Sequence, residues 1–260
     1  MESVRPQWWT LALLGAVVGI ASGTFGIGGG ILMVPVLVYL ISFDQRLASG
    51  TSLLAIVPAA IAGVVAYGLE GNVDVLLALL LAAGSIIGAP IGAWLLARLP
   101  KRALQWGFIA FLIAVIVSLF LVVPSRDAGA DIDFGMGALL VLLGLFTGIT
   151  SGLFGIGGGV IVVPLLVLLF GASDLVAKGS SLLMIIATGL SGTVANLRTK
   201  NVDLRAAVII GVVAAAATPL GAWFAGAMSP FAANMTFAGF LVLVIVRMAV
   251  DAWPRREGEK

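Results

Sequence analysis

The sequence contains no cysteine and no histidine among its 260 residues, and its charged residues are few, with 14 Lys and Arg against 12 Asp and Glu. The lack of cysteine excludes a disulfide framework and a thiolate nucleophile. The lack of histidine excludes imidazole acid–base chemistry and the usual zinc sites. We therefore expect a protein that is not an enzyme, with no catalytic residues, no metal and no cofactor.

The low content of charged residues also indicates whether this chain folds in water or in a membrane. Only 10% of the residues are charged while 61% are hydrophobic, and the mean hydropathy is +1.21. A soluble domain carries about 25% charged residues, because its surface must face water. Apolar stretches recur along the whole chain, and most reach the roughly 20 residues needed to cross a membrane. The sequence predicts an all-α integral membrane protein in a lipid bilayer, and the small positive charge indicates topology, not nucleic-acid binding.

The chain contains an internal repeat at an offset of 129 residues, the spacing between Ser22 and Ser151 (151 − 22 = 129). Residues 13–37 and 142–166 share 16 identities in 25 positions at this offset, without gaps. The same offset aligns residues 72–74 with residues 201–203, both Asn-Val-Asp. The repeat predicts a first half at 1–124, an extracytoplasmic linker at 125–133 and a second half at 134–260.

Each half begins with a glycine-rich apolar stretch that is followed by three plainer helices. The first half has the stretch at 8–42 and helices at 48–69, 75–97 and 103–123. The second half has the stretch at 134–170 and helices at 177–197, 204–226 and 231–252. These bounds leave open whether the glycine-rich stretch crosses the membrane or returns to the side from which it entered.

The basic residues favour a stretch that returns. A single crossing divides the 14 basic residues 9 to 5 between the two sides, whereas a re-entrant hairpin divides them 12 to 2, with Arg126 and Lys178 apart from the rest. Basic residues in short loops concentrate on the cytoplasmic side. We therefore predict a broken, re-entrant helical hairpin plus three transmembrane helices in each half. Three crossings per half make the second half an inverted repeat of the first, with both termini cytoplasmic in a bacterial inner membrane.

The break in each hairpin is predicted at residues 25–30 and 154–159. Residues 26–30 contain four glycines, and each glycine in a helix interior costs about 1 kcal/mol relative to alanine. An arm of about 15 residues extends roughly 22 Å, less than the roughly 30 Å hydrocarbon core. The tips are therefore expected to end inside the membrane, shielded from lipid by the other helices.

A hairpin tip of this kind can bind a small anionic substrate. The second arm starts at the glycines, so its N-terminus presents unpaired N–H groups and a partial positive charge. Neighbouring hydroxyl groups add donors, whereas Asp44, Glu70, Asp74, Asp174 and Asp203 fall near helix ends, where we expect hydrated carboxylates. The predicted substrate-binding residues are Ser22, Thr24, Phe25, Gly26, Gly28, Gly29, Gly30, Thr51, Ser52, Ser151, Phe154, Gly155, Gly157, Gly158, Gly159, Ser180, Ser181 and Asn196.

The doubled pattern G-x-F-G-I-G-G-G-x-x-x-V-P-x-L, at residues 23–37 and 152–166, resembles the sulfite exporter TauE/SafE family of membrane transporters. The resemblance covers nearly the whole chain. It implies an exporter or permease for sulfur-containing anions such as sulfite, sulfoacetate or related organosulfonates. The motif does not specify the substrate, because substrate choice depends on side chains around the glycines that the motif leaves free.

Several alternatives stay open. The glycines can serve helix packing alone, and the chain can be a non-transporting membrane assembly or scaffold protein, a channel, or a permease for a different small anion. A transporter predicts a small polar cavity between the two tips, open to one side. A scaffold predicts tips packed tightly against each other.

Overall fold

A computed structural model of the chain describes residues 8–121 and 134–252, and this part is helical without a strand. The all-α prediction is confirmed, while the linker predicted at 125–133 lies outside the described residues. The helices are α1 (Trp8–Phe25), α2 (Gly30–Tyr39), α3 (Gln45–Leu69), α4 (Val75–Arg98), α5 (Lys101–Leu121), α6 (Phe134–Phe154), α7 (Gly159–Phe170), α8 (Asp174–Arg198), α9 (Leu204–Ala227) and α10 (Pro230–Ala252).

Six of the described helices are long and apolar enough to cross a membrane, namely α1, α3, α4, α6, α8 and α9. Helices α2 and α7 are apolar but shorter, at 10 and 12 residues. The arms of each hairpin are therefore unequal, unlike the two arms of about 15 residues expected from the sequence. At 1.5 Å per residue, the 18 residues of α1 extend about 27 Å and the 10 residues of α2 only about 15 Å.

Both glycine-rich stretches turn back on themselves. After α1 ends, the chain runs back alongside it. A methyl group on Gly29 would lie 2.6 Å from Cγ1 of Val18, which is in α1. In the second half, Gly158 lies in the same way beside Thr147, with its methyl position 3.4 Å from the Thr147 carbonyl oxygen. Each stretch is therefore a hairpin with a break at the predicted glycines.

The two halves pack together through long helix–helix contacts. Each of these contacts between a helix of the first half and one of the second has an equivalent with the two halves exchanged. Helix α1 packs along α9, and its counterpart α6 packs along α4. Glycines spaced four apart let α4 and α6 touch, since methyl groups on Gly84, Gly88 or Gly92 would collide with the α6 backbone. Small residues at this spacing allow helix backbones in membranes to approach closely. These glycines, which lie outside the glycine-rich stretches, therefore serve helix packing.

Helices α3 and α8 form the centre of the molecule and run antiparallel. Gly50 near the start of α3 lies against Asn196 near the end of α8, and Tyr67 near the end of α3 lies against Gly179 near the start of α8. The two helices occupy equivalent positions in the repeat. Equivalent elements of the two halves thus have opposite directions at the centre of the fold.

Helices α5 and α10 pack against each other and against the ends of the hairpins. Phe237 of α10 stacks on Phe25 at the end of α1, with ring centroids 4.8 Å apart. Phe108 of α5 packs on Phe154 at the end of α6, with centroids 5.4 Å apart. The pairs are related by the repeat offset, so the same aromatic contact fixes the end of the first arm in both halves.

Candidate functional site

The two broken hairpins meet at the centre of the protein, where their glycine segments pass each other in opposite directions. A methyl group on Gly159 would lie 2.6 Å from the carbonyl oxygen of Gly26, and one on Gly30 would collide with the carbonyl oxygen of Gly155. We call residues 25–30 tip 1 and residues 154–159 tip 2. The predicted tip glycines are therefore brought together, and all of them are buried.

The crossing point of the tips lies on Gly28 and Gly157. Their methyl positions are 3.2 Å and 2.8 Å from the side chains of Ile185 and Ile56, respectively. Each of these residues is matched to its counterpart by the repeat offset, so both tips make the same contact with the central helices. The walls at this point are apolar and closely packed.

Glycine is required at the tips because their backbone is left-handed. Gly26, Gly28 and Gly29 have φ of 69°, 73° and 74°, and the three counterparts in tip 2 have φ between 74° and 90°. Residues with a Cβ rarely adopt this conformation. Gly29 and Gly158 are the N-caps of α2 and α7, and neither supplies a side-chain cap.

The tips therefore combine the starts of two helices. The first backbone hydrogen bonds into α2 are donated by Leu32 and Met33 to Gly29, and those into α7 by Ile161 and Val162 to Gly158. The N–H groups that precede these donors are the ones a helix start leaves for a cap or a ligand. Because two N-terminal dipole ends converge here, the centre of the protein favours negative charge.

Serine hydroxyls from the central helices hold the carbonyl groups of the tips. Ser181 donates to the Gly26 carbonyl oxygen at 2.5 Å, and its counterpart Ser52 donates to the Gly155 carbonyl oxygen at 2.6 Å. Both bonds cross from one half to the other. These two predicted residues therefore lie at the tips and fix the position of each tip relative to the opposite half.

Ser22 and Ser151 occupy equivalent positions in the repeat, just before the two tips. Both are fully buried, and within the described part of the chain their hydroxyl oxygens have no hydrogen-bond partner. Buried hydroxyls in a membrane protein ordinarily find an acceptor, often in their own helix. Two matched orphan hydroxyls, each one turn before a tip, are available to a ligand that enters between the hairpins.

Other predicted site residues serve packing in this conformation. Thr24 donates to Ile20 of its own helix and to Gly221 of α9. Thr51 accepts from the backbone N–H of Asp203, and its counterpart Ser180 accepts from that of Asp74, each at 2.9 Å. Those two bonds anchor the short loops that start α9 and α4. Phe25 and Phe154 are held by the aromatic contacts described above.

Asn196 lies on α8 and is fully buried. Its side-chain amide donates to the Gly192 carbonyl of its own helix at 2.9 Å, and its Oδ1 has no partner among the described residues. Its counterpart in the repeat is Tyr67, whose hydroxyl donates to the Gly23 carbonyl at 2.7 Å. Sequence reasoning missed Tyr67, although aligning Asn196 with the first half would have identified it.

Asp174 was expected to be hydrated at a helix end, and this prediction is wrong. Asp174 is 4% exposed and Lys178 6% exposed, and Oδ2 of the former accepts from Nζ of the latter at 3.2 Å. The reason is that the start of α8 is covered by the loop from α3 to α4, whose Asn72 carbonyl abuts Gly179. An acid and a base four residues apart, at the start of an otherwise apolar helix, were the available signal.

Asp44, by contrast, is exposed as expected. Its carboxylate caps α3 and lies 2.8 Å from Nζ of Lys101 at the surface. Partial burial on its own raises the pKa of Asp44, but hydrogen bonds from Lys101 and from the Arg46 backbone, with the nearby positive charge, lower it overall. This surface pair stabilises the loop between hairpin and α3 and takes no part in the tips.

Two of the cavities lie between helices, and the first of them reaches tip 1. One, of about 380 Å³, is apolar and lies between α1, α9 and α10, with Thr24 and Phe25 in its wall. The other, of about 590 Å³, lies between α4 and α8 and reaches Arg198. At the tips themselves, the direct contacts across Gly30 and Gly159 place the two segments in a closed arrangement.

Six candidate membrane spans, two of which (α1 and α6) are the first arms of the broken hairpins, are typical of a polytopic membrane protein. The chain belongs to the sulfite exporter TauE/SafE family, whose model matches residues 1–119 and 140–260. The expected family resemblance is thereby confirmed.

Known relatives agree with this class. A probable membrane transporter protein of Bacillus subtilis, YunE, is 29% identical over 92% of this chain and 93% of its own length. A probable membrane transporter protein of Xylella fastidiosa is 31% identical over 69% of this chain and 70% of its own. Another, MJ0441 of Methanocaldococcus jannaschii, is 29% identical over 60% of each. No solved structure matches the chain.

Proposed function

We propose that this protein is a secondary transporter that exports a small sulfur-containing anion, such as sulfite, sulfoacetate or a related organosulfonate, by alternating access at the two tips. The observation that carries the proposal is the direct meeting of two broken hairpins, each of which starts a helix at the centre of the protein. Helix starts of discontinuous helices are the usual binding elements for anionic groups in secondary transporters.

The binding groups in this proposal are backbone N–H groups at the starts of α2 and α7 and the orphan hydroxyls of Ser22 and Ser151. Such donors recognise the oxygen atoms of a sulfonate or sulfite group. The glycines let these oxygens approach the backbone, because no Cβ stands in the way. The membrane potential, negative inside, then drives the anion outward with about 2.3 kcal/mol per charge per 100 mV.

The proposal includes a topology. The antiparallel arrangement of the equivalent helices α3 and α8 supports an inverted repeat, and the charge distribution supports two cytoplasmic termini in a bacterial inner membrane. In such a fold, the two halves rock against each other around a fixed central site.

The closed arrangement of the tips favours a second candidate as well. A scaffold protein predicts tightly packed tips, and Gly30 and Gly159 are packed in that way. A transporter explains the same contact as an occluded conformation that must open before a substrate enters. Membership of an exporter family supports the transporter, and the flux experiment distinguishes the two.

The test is counterflow of radiolabelled sulfite, sulfate, sulfoacetate and thiosulfate in proteoliposomes that contain the purified protein. A transporter gives saturable flux of at least one of these anions that responds to an imposed potential. A scaffold gives no flux above that of protein-free liposomes. Flux that follows the gradient without saturation identifies a channel.

The role of the tips is tested with Gly28→Ala and Gly157→Ala. Their methyl groups meet only isoleucine side chains, not backbone, so these variants are the mildest changes at the crossing point. Gly71→Ala is the matched control, since Gly71 also has a positive φ, of 75°, and nothing lies within 4 Å of its methyl position. Loss of flux in both tip variants, with the control unaffected, supports binding at the tips; normal flux in both places the binding site elsewhere.

A further inference from the structure

The described part of the chain contains a buried ion pair, and it lies beside only one of the two tips. Asp174 and Lys178 have side chains that are 5% and 7% exposed, with Oδ2 and Nζ 3.2 Å apart. Ionisable residues inside a membrane protein are costly and mark functional sites.

The stem of Lys178 packs directly on tip 1. A methyl group on Gly26 would lie 2.5 Å from Cβ and 2.7 Å from Cγ of Lys178. Ser181, one turn further along α8, donates to the Gly26 carbonyl and also to the Lys178 carbonyl. The stem of the lysine is therefore part of the wall of tip 1, while its ammonium pairs with Asp174.

The fold itself does not need this ion pair, and the repeat supplies the comparison. The counterparts of Asp174 and Lys178 in the first half are Gln45 and Ser49, which are also buried but neutral. Gln45 begins α3 in the same position in which Asp174 begins α8. A buried ion pair is seldom more stabilising than a neutral pair of similar volume. Helix start and tip can thus be built without charge, and the charge at tip 1 serves another purpose.

We propose that Lys178 is the cationic residue that binds the anionic substrate at tip 1, and that Asp174 holds the ammonium while the site is empty. The inference rests on the proposed transport function and adds to it a specificity-determining residue. When an anion enters between the tips, the ammonium exchanges the carboxylate for an oxygen of the substrate. Charge at one tip and not at the other also makes the site asymmetric.

The test uses the first half as a template. The double variant Asp174→Gln with Lys178→Ser reproduces the neutral pair of the first half, so it is expected to fold, with some loss of thermal stability because serine is smaller than the buried lysine stem. Its KM for the transported anion is expected to rise about tenfold or more, the loss expected for one charge-assisted hydrogen bond. Lys101→Gln is the control, because it removes an exposed ion pair with Asp44 instead.

Two single variants show whether the positive charge of Lys178 raises or lowers the affinity for the anion. Lys178→Arg keeps the positive charge and should keep saturable flux, whereas Asp174→Asn releases the ammonium and should lower KM. Thermal stabilisation by the same anion, measured on purified protein, should fall in the double variant together with the affinity. A merely structural pair would change the melting temperature of the free protein without changing KM.

The outcomes separate this inference from the proposed function. Wild-type flux with an unchanged KM in the double variant overturns the role of Lys178 and leaves the transporter. Absence of flux in the wild type, with no stabilisation by any of the four anions, overturns both. A raised KM in the double variant with a normal KM in Lys101→Gln supports the inference.

Discussion

The two hairpin tips share a backbone and differ in the side chains around it. Gly26 and Gly155 are each held by a serine of the opposite half, and Phe25 and Phe154 are each covered by an aromatic ring. Around tip 1 the central helices provide a tyrosine, an aspartate and a lysine, where tip 2 has an asparagine, a glutamine and a serine. The shared features build the hairpin, and the differences leave one tip charged and the other neutral.

This comparison separates structural from chemical requirements in a single chain. A feature present at both tips is needed to break and return a helix inside the membrane. A feature present at only one tip is not needed for the hairpin structure, so it can contribute to ligand binding instead. An anion with one charged end would bind such an asymmetric site in one orientation, whereas two identical tips would accept both.

The largest expected effect tests whether the two tips are equivalent as structures. Gly26→Val and Gly155→Val place Cβ within about 2.5 Å of Lys178 and of the Ser49 backbone, at positive φ. Left-handed strain and overpacking together should cost about 3 kcal/mol or more in each variant. Unfolding of purified protein in mixed detergent measures the loss, with Gly226→Ala as the control. If one variant were as stable as the wild type, the tips would not be equivalent.

The next effect concerns the motion between the halves. Ser85 on α4 and Thr188 on α8 belong to different halves, and their hydroxyl oxygens are 2.8 Å apart. Because the chain has no cysteine, Ser85→Cys with Thr188→Cys creates a single disulfide of suitable span. Oxidation should abolish flux and dithiothreitol should restore it, if the halves must rock. Full flux in the oxidised protein would contradict rocking at this contact.

A smaller effect is expected from the serines that hold the tips. Ser52→Ala and Ser181→Ala each leave a buried tip carbonyl without its hydroxyl donor. The free energy of unfolding should fall by about 1–2 kcal/mol, and by the same amount in both variants. Denaturant titration of the two proteins measures this directly. Unequal losses would show that the charged surroundings of tip 1 alter its structure as well as its chemistry.

The smallest effect concerns the helix caps, Asp44 for α3 and its counterpart Ser173 for α8. The pKa of Asp44 is lower in the folded protein, so its stabilising contribution is present above the ordinary value of 3.8 and is lost as the pH falls through the folded value. Lys101→Ala should reduce stability by less than about 1 kcal/mol, since the pair is exposed.

That difference should shrink when melting temperatures at neutral pH are compared with those at a pH well below 3.8, under the lowered folded pKa of Asp44. Ser173→Ala serves as the comparison, because serine does not titrate and its effect should not change with pH in this range. A Lys101→Ala difference that persisted unchanged in acid would show that the ion pair does not contribute.

Much of the fold was predictable because it depends on local pattern. The repeat offset placed the glycines, the matching loops and the helix starts, and the helices do break at the predicted glycines. The membrane topology inferred from the basic residues stays a prediction. The unequal lengths of the hairpin arms were not predictable in this way. They depend on where the returning chain meets the opposite hairpin, which is a contact between distant parts of the sequence.

Membrane residence and the breaks at residues 26–30 and 155–159 were determined by the sequence itself, because hydropathy and glycine act through the local backbone. Tertiary structure alone decided which buried hydroxyl groups form hydrogen bonds and which have no partner in the described structure. Thr51 and Ser180 hold loops of the opposite half, whereas Ser22 and Ser151 have no partner in the described structure. It also buried Asp174 and Lys178 beside tip 1, since the loop that covers them comes from a distant part of the chain.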